Sequence, residues 1–131
     1  MAKKIFISYD YDNDKNYKNL LKAWDANGTF DFNFDDHSAD ISINSTDAAV
    51  IKRAISAKIN NATYFLCIVG TKTHNSSWVK WEIEKAVELN KKIVAVKTSS
   101  TNTTPNALLG VGAKWAMSFT ESGIVSAIND A

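Results

Sequence analysis

The sequence predicts an α/β domain in which helices cover both faces of a five-stranded parallel sheet. Short apolar runs alternate with stretches of helical periodicity along the 131 residues. One run, "YFLCIVG" (64–70), is continuously apolar, which is typical of a central strand buried on both faces. Five strands in one domain of this length, residues 1–131, suit a three-layer, flavodoxin-like arrangement.

The first half of the chain carries two strands, two helices and a polar loop. In order, these are a strand at 4–9, a helix within 11–28, a strand at 29–34, a loop at 35–45 and a helix at 46–61. Gly28 stands where a helix C′ glycine is expected. Thr46 is the candidate N-cap of the second helix, and isoleucines one turn apart form its apolar face.

The second half repeats the alternation. In order, we expect a strand at 62–70, a helix from about 77 to 90, a strand at 91–97, a loop at 98–112, a strand at 113–119 and a helix at 121–131. The loop is rich in Ser, Thr and Asn and contains the only proline. Ligands in parallel α/β sheets bind beyond the carboxyl ends of the strands, so the polar segments that follow strands are the ones to search.

Composition narrows the class of function. The formal net charge is +1, so the chain lacks the basic excess that nucleic-acid binding requires. No apolar run approaches the roughly 20 residues of a membrane span, and none forms a signal-peptide core. The single cysteine, Cys67, lies in an apolar run and is interpreted as a small buried hydrophobic residue. The sequence therefore predicts a cytoplasmic protein that binds neither nucleic acid nor membrane.

The sequence lacks the motifs that several other kinds of functional site require. No GxGxxG sequence follows the first strand, and no Walker lysine is present. His37 and His74 lie on separate loops without clustered cysteines or acids, so no metal site is predicted. Asp10, Asp12 and Asp14 could imitate the acidic group of a phosphoacceptor receiver. The third strand, however, ends "IVGT" and offers no carboxylate to phosphorylate.

The segment "NSSWVKWEI" (75–83) contains the strongest site candidates. Glu82 follows Trp78 by one helical turn, on the flank of the apolar stripe and facing the cleft above the sheet. A carboxylate near a helix N-terminus is expected to stay ionised, which suits stabilising a developing cation or binding sugar hydroxyls. Spacing alone leaves two alternatives open. Glu82 could be a surface residue paired with Lys80 or Lys85, and Trp78 a packed core aromatic.

Two stretches resemble a known family. "KKIFISYDYDND" (3–14) resembles the first box of TIR domains. "INNATYFLCIVGTKTHNSSWVKWEIEKAVELNKKIVAVK" (59–97) resembles the stretch that ends in the Trp-x-x-x-Glu signature of TIR enzymes. The chain is similar, over essentially its whole length, to the flavodoxin-like TIR branch that includes the TIR subunit of the Thoeris antiphage system.

The resemblance implies roles for seven residues. Glu82 takes the place of the catalytic glutamate, and the implied substrate-binding residues are Ser8, Tyr9, Asp10, Asp36, His37 and Trp78. Two features depart from the family pattern. Asp10 stands where many TIR enzymes have a basic residue, and residues 36–45 lack the Gly-Pro sequence of receptor-type TIR domains.

The implied activity is cleavage of the bond between nicotinamide and ribose in NAD, which is a substrate here and not a cofactor. The implied product is a cyclic or modified ADP-ribose that activates a separate effector protein in antiphage defence, and self-association is expected to complete the site. A non-catalytic TIR interaction module is the alternative, although the glutamate is retained and the Gly-Pro loop is missing. A flavodoxin-like nucleotide or flavin binder rests on the fold alone.

Overall fold

A computed structural model describes residues 3–34 and 41–131 of the chain. Strands and helices alternate within these ranges, as predicted. In order, they are β1 (Lys3–Ser8), α1 (Tyr11–Trp24), β2 (Phe30–Asn33), α2 (Ala48–Asn61), β3 (Tyr64–Val69), α3 (Ser77–Glu88), β4 (Lys92–Lys97), β5 (Lys114–Ala116) and α4 (Glu121–Asp130). Two short 3-10 helices lie in loops, at Thr73–Asn75 and Asn106–Leu108.

The five strands form one sheet in the order β2-β1-β3-β4-β5, and every neighbouring pair is parallel. The predicted five-stranded parallel sheet and its flavodoxin-like arrangement are confirmed. β3 lies in the centre and is the most deeply buried strand, which explains its uninterrupted apolar sequence. β2 lies at an edge, where Phe30 and Phe32 are half-buried and Asp31 between them is exposed.

Helices cover the two faces of the sheet in pairs. On one face, Ile55 of α2 and Ile83 of α3 pack against Phe6 and Phe65 of the sheet. On the other face, residues of α1 and α4 pack against alternate strand residues, which are Ile5, Ile7, Leu66 and Ile68. This division follows from right-handed crossovers, because the chain turns one way from β1 to β2 and the opposite way from β2 to β3. The result is the predicted three-layer α/β/α arrangement.

Two predicted helix boundaries are wrong in detail. Thr46 does not cap α2, because Ala48 N–H already donates to Ser45 O in a turn (3.2 Å), and the helix starts two residues after Thr46. Gly28 is not the C′ residue of α1, which ends at Trp24. Its φ of +64° instead serves the turn into β2, where the N–H of Gly28 donates to Asp25 O (3.2 Å).

The end of α3 shows how a short local signal sets a boundary. Asn90 has a φ of +59°, in the left-handed region. Its N–H donates to Val87 O, and the N–H of Lys91 donates to Ala86 O, each at 3.0 Å. These two bonds form a Schellman motif, which ends the helix and directs the chain into β4.

The length and hydrophobicity of the described helices bear on membrane insertion. Across residues 3–34 and 41–131, none combines the length and the apolar character that a membrane crossing requires.

Candidate active site

The candidate site lies where the order of the strands reverses. In the sheet, β1 lies between β2 and β3. The chain passes from β1 to β2 on one side and then crosses to β3 on the other side. The carboxyl ends of β1 and β3 therefore form a topological switch point, where open α/β sheets leave a crevice for ligands. Ser8 ends β1 opposite Cys67 of β3, so residues 9–10 and 70–76 both follow strands that end at this edge of the sheet.

Ser8 and Glu82 are in direct contact beneath this edge. The Ser8 hydroxyl donates to Glu82 Oε1 at 2.6 Å, and the two residues are only 1% and 5% exposed. Ser8 lies on the same face of β1 as Phe6, two residues earlier, and this face packs against α3. Glu82 is therefore not a surface residue. The neighbouring Lys85 pairs instead with Glu88, with Nζ 2.7 Å from Oε2.

The start of α3 determines which way Glu82 points. Ser76 is the N-cap, and its Oγ accepts a hydrogen bond from the Val79 N–H at 3.2 Å. With the helix start fixed there, Val79, Glu82 and Ile83 all turn inward and are buried.

Trp78 joins α3 to the chain that returns from β2. Its Nε1–H donates to the Ile41 carbonyl oxygen at 2.7 Å. The half-buried ring meets Trp81 edge-on, with centroids 6.1 Å apart and planes at 82°. Trp78 also packs against the core cluster, so it is a packed aromatic that in addition fixes the position of Ile41.

Tyr9 projects to the opposite face of the sheet from Ser8, as the alternation of side chains along a strand requires. It is buried in the α1-side cluster, where its ring lies edge-on to Phe34 with centroids 6.5 Å apart. The Lys18 ammonium group lies 5.6 Å from the centre of the Tyr9 ring and 3.9 Å from that of Phe34. Tyr9 and Phe34 thus form an aromatic wall beyond the ends of β1 and β2.

The other candidates differ in how the structure places them. Asp10 occupies the N-cap position of α1, half-exposed, and its Oδ2 accepts from Asn13 Nδ2 at 2.6 Å. Asp36 and His37 lie outside the described residues. His74 is exposed in the 3-10 helix after β3. In the part of the chain that the structure describes, no three His, Cys, Asp or Glu side chains are grouped to hold a metal ion.

A buried carboxylate near the site was missed by the sequence reasoning, which considered Asp14 only as part of a receiver-like acidic group. Asp14 is 3% exposed, and its Oδ2 lies 3.2 Å from Thr73 Oγ1. Burial raises the pKa of the Asp14 carboxyl, the Thr73 hydrogen bond lowers it, and the negative charge of Asp10 raises it. An available signal was the position of Asp14 in the first turn of α1, which follows β1 directly.

Cys67 lies in β3 among these acids and is fully buried, as predicted. Burial raises the pKa of its thiol far above the ordinary range, and the negative charges of Glu82 and Asp14 raise it further. The thiol is therefore protonated at neutral pH and supplies no thiolate nucleophile.

A surface groove lies away from these residues. It has a volume of about 200 Å³ and runs between α1, β2 and α4, with Trp24 and Phe30 in its lining. Of the candidate site residues that the structure describes, none contributes to it.

A parallel β2-β1-β3-β4-β5 sheet with a buried Trp-x-x-x-Glu helix after the third strand defines a TIR-like α/β domain. Residues 6–103 match the family described as Thoeris protein ThsB, TIR-like domain, and the chain belongs to this family.

A curated relative carries a more specific name. The chain is 28% identical over 104 residues to a protein of Bacillus cereus (strain MSX-D12) named "Putative cyclic ADP-D-ribose synthase ThsB1". The similarity covers 73% of this chain and 52% of that relative, so the chain spans about half the length of the protein it matches.

Proposed function

We propose that this chain is a TIR enzyme that cleaves NAD between nicotinamide and ribose and releases a cyclic or modified ADP-ribose as a signal. The observation that carries the proposal is the buried Glu82 carboxyl, held by the Ser8 hydroxyl at 2.6 Å beneath the switch point of the sheet. The name of the Bacillus cereus relative, a cyclic ADP-D-ribose synthase, supports the same chemistry.

The reaction needs little beyond a positioned carboxylate. The bond between the ribose C1′ and the nicotinamide nitrogen breaks, and its electron pair goes to the ring nitrogen, which becomes neutral. The ribose gains oxocarbenium character, and the negative charge of Glu82 stabilises it in a site shielded from water. An acceptor then bonds to C1′. Water loses a proton and gives ADP-ribose, and a hydroxyl of the same molecule loses a proton and gives a cyclic ADP-ribose. An adenine ring nitrogen of the same molecule bonds through its lone pair, and the base of that cyclic ADP-ribose takes the positive charge.

The neighbouring residues are assigned by their positions around Glu82. Ser8 orients the carboxylate, since its hydroxyl donates to one of the two oxygens. Asp10 and the aromatic wall that contains Tyr9 border the nucleotide at the ends of β1 and β2. Trp78, which donates a hydrogen bond to the Ile41 carbonyl oxygen, is assigned to the side of the nucleotide opposite this aromatic wall. Asp36 and His37, which lie outside the described residues, are proposed as substrate-binding residues on the strength of the resemblance to TIR enzymes alone.

The wider biology follows from this chemistry. A small, charged product would diffuse to a separate effector protein, which suits a signalling role in antiphage defence and a site of action in the cytoplasm. Self-association of the chain is proposed to complete the site, so the assay has to include concentrated protein.

The test is chromatography with mass detection of NAD incubated with wild-type protein and with two variants. Glu82→Gln removes the charge of the buried carboxylate, and Glu84→Gln removes an exposed charge from the same helix. We expect nicotinamide release from the wild type and from Glu84→Gln, and a loss of at least about a hundredfold in Glu82→Gln. ADP-ribose is heavier than a cyclic ADP-ribose by the mass of one water, so the product mass distinguishes hydrolysis from cyclisation.

The conditions decide between enzyme and interaction module. The reactions are repeated at high protein concentration, with enforced assembly and with extract from cells exposed to phage. Turnover that is undiminished in a folded Glu82→Gln variant would remove Glu82 from the mechanism. NAD that stays intact in every condition would leave the TIR interaction module as the function.

A further inference from the structure

Asp14 is a buried acid for which the proposed reaction has no use. It lies in the first turn of α1, one turn after Asp10, and its side chain is turned away from solvent. Burying a carboxyl group is unfavourable unless its oxygens are matched by specific partners. The partner that the structure provides is the Thr73 hydroxyl, which is 1% exposed and belongs to the segment between β3 and α3.

The Thr73 hydroxyl organises the backbone where β3 ends. Its Oγ1 accepts from the Gly70 N–H at 2.8 Å and lies 3.3 Å from the Ile68 carbonyl oxygen and 3.2 Å from Asp14 Oδ2. The hydroxyl carries one hydrogen, so it donates either to Ile68 or to Asp14. When the Asp14 carboxyl is neutral, it can donate to Thr73 Oγ1, and all three contacts are then satisfied together.

Gly70 permits this arrangement. A Cβ atom at position 70 would collide with the Asp14 carboxyl group, so the acid lies directly against the backbone at the end of β3. The close approach requires glycine for space and not for an unusual φ, since Gly70 is not among the residues with positive φ.

Two buried side-chain contacts join the region from the end of β1 to the start of α1 with the region from residue 70 to α3. Ser8 and Glu82 connect the end of β1 to α3 beneath the sheet edge. Asp14 and Thr73 connect the start of α1 to the segment that leads into α3. Residues 9–10, which border the candidate nucleotide site, lie between these two contacts along the chain.

We propose that Asp14 is a positioning residue for the candidate active site, which acts through Thr73 to fix the path of residues 70–76 and therefore the start of the helix that carries Glu82. The inference rests on the proposed function of Glu82. Ser76 transmits the effect, because it caps α3 three residues after Thr73 and sets the phase of the helix. Asp14 itself contacts neither the nucleotide nor the reacting bond in this scheme.

The test combines kinetics with hydrogen exchange. Asp14→Ala and Thr73→Val remove the contact, whereas Asp14→Asn and Thr73→Ser preserve hydrogen-bonding groups at each end. Asp12→Asn is the matched control, because Asp12 is an exposed acid of the same turn of α1. Exchange is followed by mass spectrometry for peptides that cover residues 70–77.

We expect Asp14→Ala and Thr73→Val to lower kcat for NAD at least about tenfold, with a smaller change in KM, because displacing the carboxylate weakens stabilisation of the transition state more than it weakens substrate binding. Amide exchange over residues 70–77 should rise at least tenfold in the same variants. Thr73→Ser and Asp14→Asn should restore both quantities to within about threefold of wild type, and Asp12→Asn should change neither.

Several results would overturn the proposal. Unchanged exchange over residues 70–77 in folded Thr73→Val would show that the contact does not fix this segment. Wild-type kcat in that variant, or a kcat loss that Thr73→Ser does not restore, would show that the contact does not position Glu82. If Asp14→Ala fails to fold, Asp14→Asn and the Thr73 pair decide the matter. Wild-type protein that never cleaves NAD would contradict the proposed function, while the exchange measurement would still decide whether the contact holds the segment.

Discussion

Removing the Ser8 hydroxyl tests how much its hydrogen bond to Glu82 contributes to the free energy of unfolding. Ser8→Ala deletes one oxygen and takes the 2.6 Å donor away from a carboxyl group that is 5% exposed. A hydrogen bond to a charged group contributes about 1.5–3 kcal/mol, against about 0.5–1.5 kcal/mol for a neutral pair. We therefore expect Ser8→Ala to lower the free energy of unfolding by about 2 kcal/mol.

The assay is urea unfolding followed by tryptophan fluorescence. With a denaturant dependence of about 2 kcal/mol per molar urea, a loss of about 2 kcal/mol lowers the midpoint by about 1 M. The same Ser8→Ala substitution is then made in a Glu82→Gln background. The amide oxygen still accepts from Ser8 but carries no charge, so the cost of Ser8→Ala should fall to about 1 kcal/mol there.

The matched control is Ser122→Ala, an exposed serine in the first turn of α4. Its effect should stay within about 0.5 kcal/mol, as is usual for surface substitutions. The reasoning would be refuted if Ser8→Ala shifted the midpoint no more than Ser122→Ala does. It would also be refuted if the cost of Ser8→Ala were the same with glutamate and with glutamine at position 82.

The remaining predictions concern stability at three positions, each measured by urea unfolding. Gly70→Ala should lower the free energy of unfolding by about 1–3 kcal/mol, because its new methyl group meets the Asp14 carboxyl. Asp14→Ala in the same chain should recover most of this loss, and no recovery would show that the methyl group clashes with a different group. Asn90→Gly should be neutral or stabilising, whereas Asn90→Ala should cost about 1 kcal/mol, and equal effects would contradict the left-handed conformation. The pKa of Asp14 is raised in the folded protein, so the stability of wild type relative to Asp14→Asn should be greatest at acid pH. This stability difference should fall as the pH rises past 3.8, the ordinary pKa of an aspartate, and level off above the pKa of Asp14 in the folded protein. A stability difference that rises with pH would contradict a raised pKa.

The sequence by itself determined the layers of the fold and the helix that carries the site. The apolar run of β3, the alternation of β2 and the isoleucine spacing of α2 are local patterns, and local periodicity reports directly which face of an element is buried. The resemblance to TIR enzymes selected Ser8 and Glu82, and the structure brings them into contact.

The tertiary structure decided the contacts between distant parts of the chain. Ser8 and Glu82 are 74 residues apart, and Asp14 and Thr73 are 59 apart. Whether such pairs meet depends on the strand order and on the register of β1 against β3, which no window of neighbouring residues contains. The spacing left open whether Glu82 was a surface residue, and only the packing of α3 on the sheet buried it beside Ser8. The approach of Asp14 to Gly70 likewise depends on two backbones meeting at the switch point, so no local sequence pattern indicates that Asp14 contacts Thr73.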